Sequence, residues 1–212
     1  MTKLTDVNRN EVYRYMGLGT EMPDKNLREI TESIITELAE KCNPSHCVRD
    51  TLISINGMTV TFDFCTVQSM ALSKHLADCK SGYVLAATLG SEADRIISKY
   101  SVLSSVKAVA AQAAAAAIIE QYADDICTVL GNESGMYLTP RFSPGYSDFS
   151  LDYQKIMLDF LDAGKKIGLC LTDGGLMTPV KSITAIIGKT QNEQCNEKKC
   201  SGCTNIHCIF RK

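Results

Sequence analysis

The chain has 212 residues, of which 45% are hydrophobic and 22% are charged, so it can bury a substantial core and is neither disordered nor fibrous. Its 22 Lys and Arg residues against 24 Asp and Glu residues give a net charge of −2, which offers no footprint for nucleic acid or for an anionic membrane surface. The polar first ten residues do not resemble a secretion signal, and the apolar stretch over residues 108–119 is too short to span a bilayer. We therefore expect a soluble, cytoplasmic protein.

Helices and one hairpin account for the first third of the sequence. Apolar residues at helical spacing predict a helix over residues 8–16 and a second over residues 24–41, for which Asp24 is the N-cap candidate. Asn56-Gly57 stands between a β-branched run and an alternating apolar run, which predicts a hairpin over residues 50–64 with a type I′ turn. This hairpin indicates an antiparallel element in the fold.

The remaining sequence mixes helices and strands. The predicted helices cover residues 67–78, a segment that starts at a capping box of Ser91 and Asp94, residues 102–130 up to Gly131, and residues 150–163 with Ser150 as the cap. The predicted strands cover residues 82–89, 167–171 and 183–187. Five consecutive alanines in the predicted helix over residues 102–130 indicate a central helix packed closely on a sheet. Because regular βαβ repeats are missing, we expect an α+β fold with helices on a twisted antiparallel or mixed sheet.

The first segment with candidate ligand-binding residues covers residues 139–148 and is dense in turn-forming residues. Pro144-Gly145 suits a type II turn, which would hold Arg141 and Tyr146 on either side of a rigid bend. A guanidinium offers a planar fork of donors that matches a carboxylate, so Arg141 is a candidate anchor for an amino-acid carboxylate. The alternative is a solvent-facing arginine on an ordinary loop.

The second segment covers residues 172–182 and joins the last two predicted strands. It carries the pair Gly174-Gly175, followed by Pro179 and Lys181. Glycines let a backbone approach a ligand closely, but the spacing is not that of a phosphate-binding loop. The alternative is an ordinary connection between two strands.

Taken together, these segments resemble a known family. Arg141-Phe142-Ser143-Pro144-Gly145-Tyr146, then residues 166–172, then residues 177–188 resemble, in order and spacing, the activation domain of cobalamin-dependent methionine synthase. The resemblance covers about residues 8–190 and is closest to the stand-alone form of that domain. It implies binding of S-adenosylmethionine and docking on a partner that holds cobalamin.

The expected function is therefore support for reductive remethylation of cobalamin on a separate methionine synthase or related corrinoid protein, with an electron donor. The resemblance implies that Arg141, Pro144, Gly145 and Tyr146 bind S-adenosylmethionine. The chain is then an accessory component that holds a methyl group in place, and no catalytic acid or base is assigned. The family's acidic residue from an earlier segment has no aligned counterpart, and its tyrosine pair is missing where residues 189–194 stand.

Residues 191–212 form a separate Cys-rich tail behind a first domain of residues 1–190. The four candidate metal ligands are Cys195, Cys200, Cys203 and Cys208. Four thiolates within 14 residues can wrap an iron-sulfur cluster or a zinc ion, and we favour the cluster, which would pass an electron to cobalt. His207 is an alternative ligand, and an unstructured reduced tail is the alternative to any metal site.

Two other functions stay open on the sequence alone. One is an iron-sulfur electron carrier that reduces corrinoid proteins of other methyltransferases, and the other is a zinc-stabilised interaction module. His46, between Cys42 and Cys47, is interpreted as part of a polar loop, and His75 as a solvated helix residue. The thiols interpreted as core residues are Cys65, Cys79, Cys127 and Cys170.

Overall fold

A six-stranded antiparallel sheet with helices on both faces forms the described part of the chain, residues 3–18 and 21–192 of a computed structural model. A 3-10 turn (Leu4–Asp6) precedes the helices, which are α1 (Arg9–Tyr15), α2 (Lys25–Lys41), α3 (Met70–His75), α4 (Ser91–Leu103), α5 (Ser105–Ser134), α6 (Tyr153–Leu161) and α7 (Ala163–Ile167). The strands are β1 (Ser45–Asn56), β2 (Thr59–Phe62), β3 (Thr66–Gln68), β4 (Ser81–Thr88), β5 (Tyr137–Leu138), β6 (Cys170–Leu171), β7 (Met177–Thr178) and β8 (Ser182–Thr190). The predicted α+β fold is confirmed.

The strand order in the main sheet is β3-β2-β1-β4-β8-β5, and every neighbouring pair is antiparallel. The last strand along the chain, β8, therefore lies in the interior of the sheet, between β4 and β5. Seven of the eight residues of β4 are buried, as expected for a strand covered on both faces. The strands β6 and β7 form a separate two-stranded hairpin.

The predicted hairpin is present, but its turn differs from the predicted type. Asn56 pairs with Thr59, so the two loop residues are Gly57 and Met58 instead of Asn56 and Gly57. Of these two, only Gly57 has a positive φ, +60°, whereas a type I′ turn needs a positive φ at both central positions. The pattern is that of a type II′ turn, which places glycine first.

One face of the sheet is covered by α1, α2, α4 and α5. The alanines of α5 that are buried there are Ala110, Ala111, Ala113, Ala114, Ala115 and Ala117. Small side chains let the neighbouring helices approach closely, so the interpretation of these alanines as core residues is confirmed. Although α5 has 30 residues, no helix in the described part of the chain is long and apolar enough to cross a membrane.

The opposite face is covered by α3, α6, α7 and the β6–β7 hairpin. Phe149, Met157 and Leu161 pack there against Val84 and Ala86 of β4. Alternate residues of β4 thus serve two separate apolar clusters, one on each face of the sheet.

Several predicted helix boundaries are wrong, and neighbouring strands or glycines explain why. Val67 begins no helix, because it pairs with Val60 and is buried within β3. Gly131 lies inside α5, and the helix ends instead at Gly135, whose φ is +62°. Ser150 lies before α6 and bonds to its near neighbour Asp152 without capping the helix.

Two further predictions about loops and caps are also wrong. His46 lies in β1, paired opposite Ala87, where a polar loop was expected. The predicted capping box is absent, because α4 begins one residue earlier, with Gly90 as its N-cap and Ser91 inside the helix, and Asp94 accepts a hydrogen bond from the backbone of Val180. Residues 167–171 divide between the end of α7 and the start of β6.

Candidate functional site

The segment that carries Arg141 continues the sheet beyond β5, with a break in register. Leu138 pairs with Lys189, whereas Phe142 pairs with Ile186. Four steps along the edge segment therefore match three steps along β8, which defines a β-bulge with one extra residue. Pro140 lies in this bulge and has no N–H to donate to the ladder.

Because of the bulge, the side chain of Arg141 faces α5. The Arg141 side chain is 6% exposed, and its guanidinium forms two ion pairs, from Nη1 to Asp124 Oδ1 and from Nη2 to Glu120 Oε2, each of 2.5 Å. Glu120 and Asp124 lie one turn apart on the same side of α5. The predicted alternative of a solvent-facing arginine is thus wrong, and the guanidinium fork already contacts two carboxylates of the protein.

The charges of this cluster define its electrostatic character. Burial lowers the pKa of Arg141, but the nearby carboxylates of Asp124 and Glu120 outweigh this effect, so the pKa lies above its ordinary value. One guanidinium and two carboxylates leave a net charge of −1. The carboxylate side chains of Glu120 and Asp124 are 39% and 73% exposed, so this negative charge faces the solvent above a buried cation.

On the other face of the bulge, aromatic rings hold the segment in place. The ring of Phe142 lies 4.9 Å from that of His75 and 5.7 Å from that of Tyr146. His75 Nε2 donates a hydrogen bond of 2.8 Å to the carbonyl oxygen of Pro140. Burial lowers the pKa of His75, while its bond to Pro140 raises it. His75 is therefore mostly buried, and the prediction that it is solvated is wrong.

The turn after Arg141 has the predicted geometry. Tyr146 N donates to Ser143 O at 3.1 Å, and Gly145 has a φ of +92°, as position three of a type II turn requires. Pro144 is buried, whereas the side chain of Tyr146 is 45% exposed. The turn therefore holds Arg141 and Tyr146 on either side of a bend, as the sequence predicts.

The glycine-rich segment does not join this cluster. It closes the β6–β7 hairpin through bonds from Thr172 N to Leu176 O and from Gly175 N to Thr172 O. Leu176 and Val180 are 71% and 62% exposed. Lys181 donates to the carbonyl of Gln112 at 3.3 Å, and burial lowers its pKa, which the charge of Asp94 opposes. This segment is an ordinary strand connection.

The cysteines fall into two groups. Cys195, Cys200, Cys203 and Cys208 lie outside the described residues, so their metal assignment stays a prediction. Among residues 3–18 and 21–192, the six cysteines form no disulfide, and no group of three or more His, Cys, Asp or Glu side chains is arranged to hold a metal ion. Burial raises the pKa of Cys79 to about 11, but Cys170 is exposed, so its assignment as a core thiol is wrong.

No protein-family model matches this sequence, and no curated protein matches it at the level of sequence. Comparison of the fold defines the class of the protein as an α+β domain with the architecture of a methionine synthase reactivation domain. The matching solved structure is described as the MetH reactivation domain bound to AdoHcy. It aligns with a TM-score of 0.63 and 12% identity, over 87% of this chain and 77% of that chain. The resemblance found in the sequence is thus confirmed for the fold.

The sequence analysis missed Glu120 and Asp124. Their spacing of four residues on a helix that is otherwise rich in alanine was the available signal, because such a spacing places both carboxylates on one side. The sequence did not indicate that this side meets Arg141, since the contact depends on the bulge.

Proposed function

We propose that the chain binds S-adenosylmethionine at the edge segment around Arg141 and supports reductive remethylation of cobalamin. The cobalamin belongs to a separate methionine synthase or related corrinoid protein. The observation that carries the proposal is the coincidence of two independent facts. The fold matches a reactivation domain bound to AdoHcy, and the segment that resembles the family's ligand loop forms a bulge with a buried charge cluster.

The residues of the cluster fit the ligand chemically. S-adenosylmethionine carries a carboxylate, an ammonium and a sulfonium group, and its net charge of about +1 complements the cluster's net charge of −1. Arg141 would hold the carboxylate with the N–H groups that are not bonded to Asp124, Glu120 or Cys127. The carboxylates of Asp124 and Glu120 would face the cationic groups of the ligand. The exposed ring of Tyr146 offers an apolar surface for the adenine.

Pro144 and Gly145 contribute through the backbone. Gly145 has no side chain, and a methyl group at this position would lie 3.1 Å from Leu151, so the turn packs closely on Leu151. In this proposal, a ligand contacts the exposed backbone of Gly145 without displacing a side chain of that residue.

The tyrosine pair implied by the resemblance has no counterpart in the described residues of β8. Lys189 lies over the ring of Tyr83 and pairs with Asp50, and Thr190 is buried. However, Tyr137 of β5 lies opposite Thr190 and is half exposed. In this proposal, Tyr137 supplies the aromatic surface at that end of the edge.

In this proposal, the role of the protein is to bind and orient S-adenosylmethionine. When bound, S-adenosylmethionine supplies the methyl group, and the partner supplies cobalamin. The chain contributes a fixed position for the ligand at an exposed edge that a partner can approach, and no proton transfer by its side chains is needed. The proposed setting is the cytoplasm, in keeping with the six cysteines of the described residues, which form no disulfide.

Calorimetric titration of the anaerobically purified full chain with S-adenosylmethionine tests this proposal. We expect saturable binding that Arg141→Ala weakens by about 2 to 4 kcal/mol, because a ligand carboxylate loses a charged donor. Arg141→Lys keeps the charge but not the fork, and it should restore only part of the affinity.

Arg49→Ala is the matched control, since Arg49 donates to Phe160 O and covers the Phe160 ring, away from the edge segment. Equal loss of affinity in both alanine variants would contradict the proposed site. Absence of binding by the wild type would reject the proposed function and favour an electron carrier, which visible absorption of the anaerobic protein would reveal as a broad, reducible band.

A further inference from the structure

The bulge around Pro140 lacks the ladder bonds that fix an ordinary strand. Phe142 exchanges both backbone bonds with Ile186, and Thr139 bonds to Gly188 through both its N–H and its hydroxyl. Between these two points, Pro140 donates nothing and its carbonyl turns away from β8 to meet His75. The bulged carbonyl accepts two side-chain bonds, a long one of 3.3 Å from Thr139 Oγ1 and the shorter one of 2.8 Å from His75, which is the only one of the two that comes from α3.

The short helix α3 touches the edge segment at both of its ends. At its C-terminal end, His75 binds Pro140 O and packs on the ring of Phe142. At its N-terminal end, the Asp148 carboxylate accepts bonds from Ser69 Oγ at 2.5 Å, Met70 N at 2.7 Å and Ala71 N at 3.2 Å. The helix therefore spans the loop from Pro140 to Asp148, which contains Arg141 and Tyr146.

The same helix is anchored to the β1–β2 hairpin on its other side. Ser73 Oγ donates to Gly57 O at 2.6 Å, and Ser69 N donates to Met58 O at 3.0 Å. The six-residue helix α3 thus links residues 139–149, the edge loop, to the β1–β2 hairpin in a distant part of the sheet.

We propose that α3 is a brace that fixes the bulge, and that His75 is the positioning residue that keeps Arg141 directed at Glu120 and Asp124. The physical reason is that side chains alternate between the two faces of a sheet. If the segment lost its bulge and its pairing shifted by one residue, the side chains in the shifted part would turn to the opposite face. Without the His75 donor, the segment can relax toward regular register, which moves Arg141 away from α5. This inference rests on the proposed function only for its ligand-binding readout.

Two substitutions at one position separate the hydrogen bond from the ring. In His75→Gln, the amide nitrogen lies as many bonds from Cα as Nε2 does, so it reaches Pro140 O. In His75→Asn, the amide matches only Nδ1 and falls short. Both variants lose the ring contact with Phe142, so they differ mainly in the bond to Pro140. Ser73→Ala is the control, because it removes one bond of the same helix while the bond from Ser69 N to Met58 O still anchors the helix to the hairpin.

The first readout is affinity for S-adenosylmethionine in the full chain. We expect about tenfold weaker binding in His75→Asn, since a single hydrogen bond sets the geometry of a charged contact, with near wild-type binding in His75→Gln and Ser73→Ala. If the wild type binds and His75→Asn binds within twofold of it, the brace is refuted while the proposed function stands.

The second readout needs no ligand. Hydrogen exchange in a peptide covering residues 139–149 reports the amides of Phe142, Gly145 and Tyr146, which are all bonded in the fold. His75→Asn should exchange at least about fivefold faster than the wild type, and His75→Gln and Ser73→Ala should not. Equal exchange in all four proteins would refute the brace whether or not the wild type binds the ligand.

Discussion

Two loops of this protein have similar compositions and very different surroundings. The edge loop over residues 139–149 and the glycine-rich loop over residues 172–181 are both rich in residues such as Gly, Pro and Thr. The edge loop contacts α3, α5 and β8 through charged or polar bonds. The glycine-rich loop bonds mainly within its own hairpin and reaches the rest of the protein through Val180 and Lys181. Turn-forming composition therefore identifies loops, whereas convergent contacts from distant elements identify a site.

The largest expected change in stability comes from a substitution in β8, the strand that pairs with the edge loop. A methyl group at Gly188 would overlap Cys79 Sγ and lie 2.9 Å from Leu76 Cδ2, while Gly188 also carries both bonds to Thr139. Gly188→Ala should lower the free energy of unfolding by about 3 kcal/mol, through overpacking at a buried position. Urea denaturation measures this loss.

A double variant tests the cause of that loss. Cys79→Ala removes the sulfur that the new methyl group meets, so it should return part of the stability when combined with Gly188→Ala. Additive effects of the two substitutions would show that the overlap is not the reason.

A smaller effect is expected at the tether of the glycine-rich loop. Asp94 Oδ2 accepts the Val180 N–H at 2.9 Å, while Asp94 Oδ1 is buried and meets no donor among the described residues. Asp94→Ala should cost about 1 kcal/mol of unfolding free energy, because one bond is lost while an unsatisfied oxygen is removed. Affinity for S-adenosylmethionine should not change, and a clear loss would mean that this loop belongs to the site after all. Asp94→Asn, which keeps an acceptor for Val180, is the control.

Low pH should destabilise the edge loop, because it protonates the carboxylate of Asp148. The bond from Ser69 lowers the pKa of this carboxyl, burial opposes the shift, and the bonds from Met70 and Ala71 add to it. Because the pKa is lower in the folded state, the stabilisation is complete above the unfolded pKa of about 3.9 and is lost as the pH falls through the folded value. The wild type should therefore be more stable than Asp148→Asn at pH 6, and the difference should shrink by pH 3 in urea titrations. A difference that stays constant with pH would contradict this assignment.

The smallest effect is expected within the glycine-rich loop. A methyl group at Gly174 would meet nothing closer than Thr172 Oγ1 at 3.8 Å, so Gly174→Ala should change stability by less than about 0.5 kcal/mol. Its neighbour Gly175 has a φ of +76°, and Gly175→Ala should cost about 1 kcal/mol because of that backbone conformation. Thermal unfolding of the two variants compares them, and equal values would show that the loop changes its conformation freely.

Much of the fold is predictable from local patterns. The Asp24 cap, the apolar strand around Val84 and the type II turn at Gly145 depend on residues close in sequence, and all three are confirmed. The errors arise where a distant partner overrides a local preference. Asp94 has the sequence position of the second residue of a capping box but bonds to Val180, and Val67 fits a helix but pairs with Val60. Sequence spacing contains no information about such partners.

The site was predictable in part for the same reason. Arg141 and its turn form one continuous motif, so their place at one edge follows from the sequence. Glu120, Asp124 and His75 reach that edge from two other helices, and the bulge that brings them together comes from a register shift against β8. A shift of one residue leaves no mark in composition or periodicity.

The interior position of β8 also has a consequence for folding. Ser81 of β4 pairs with Lys189 of β8, and the intervening chain holds α4, α5, α6 and α7. Until β8 is made and inserted, β4 has an open edge and β5 has no neighbour, so the two halves of the sheet cannot join. Pairing across such a long stretch of chain closes a large loop, which slows folding. During synthesis on the ribosome, the edge segment around Arg141 is therefore among the last features of the protein to form.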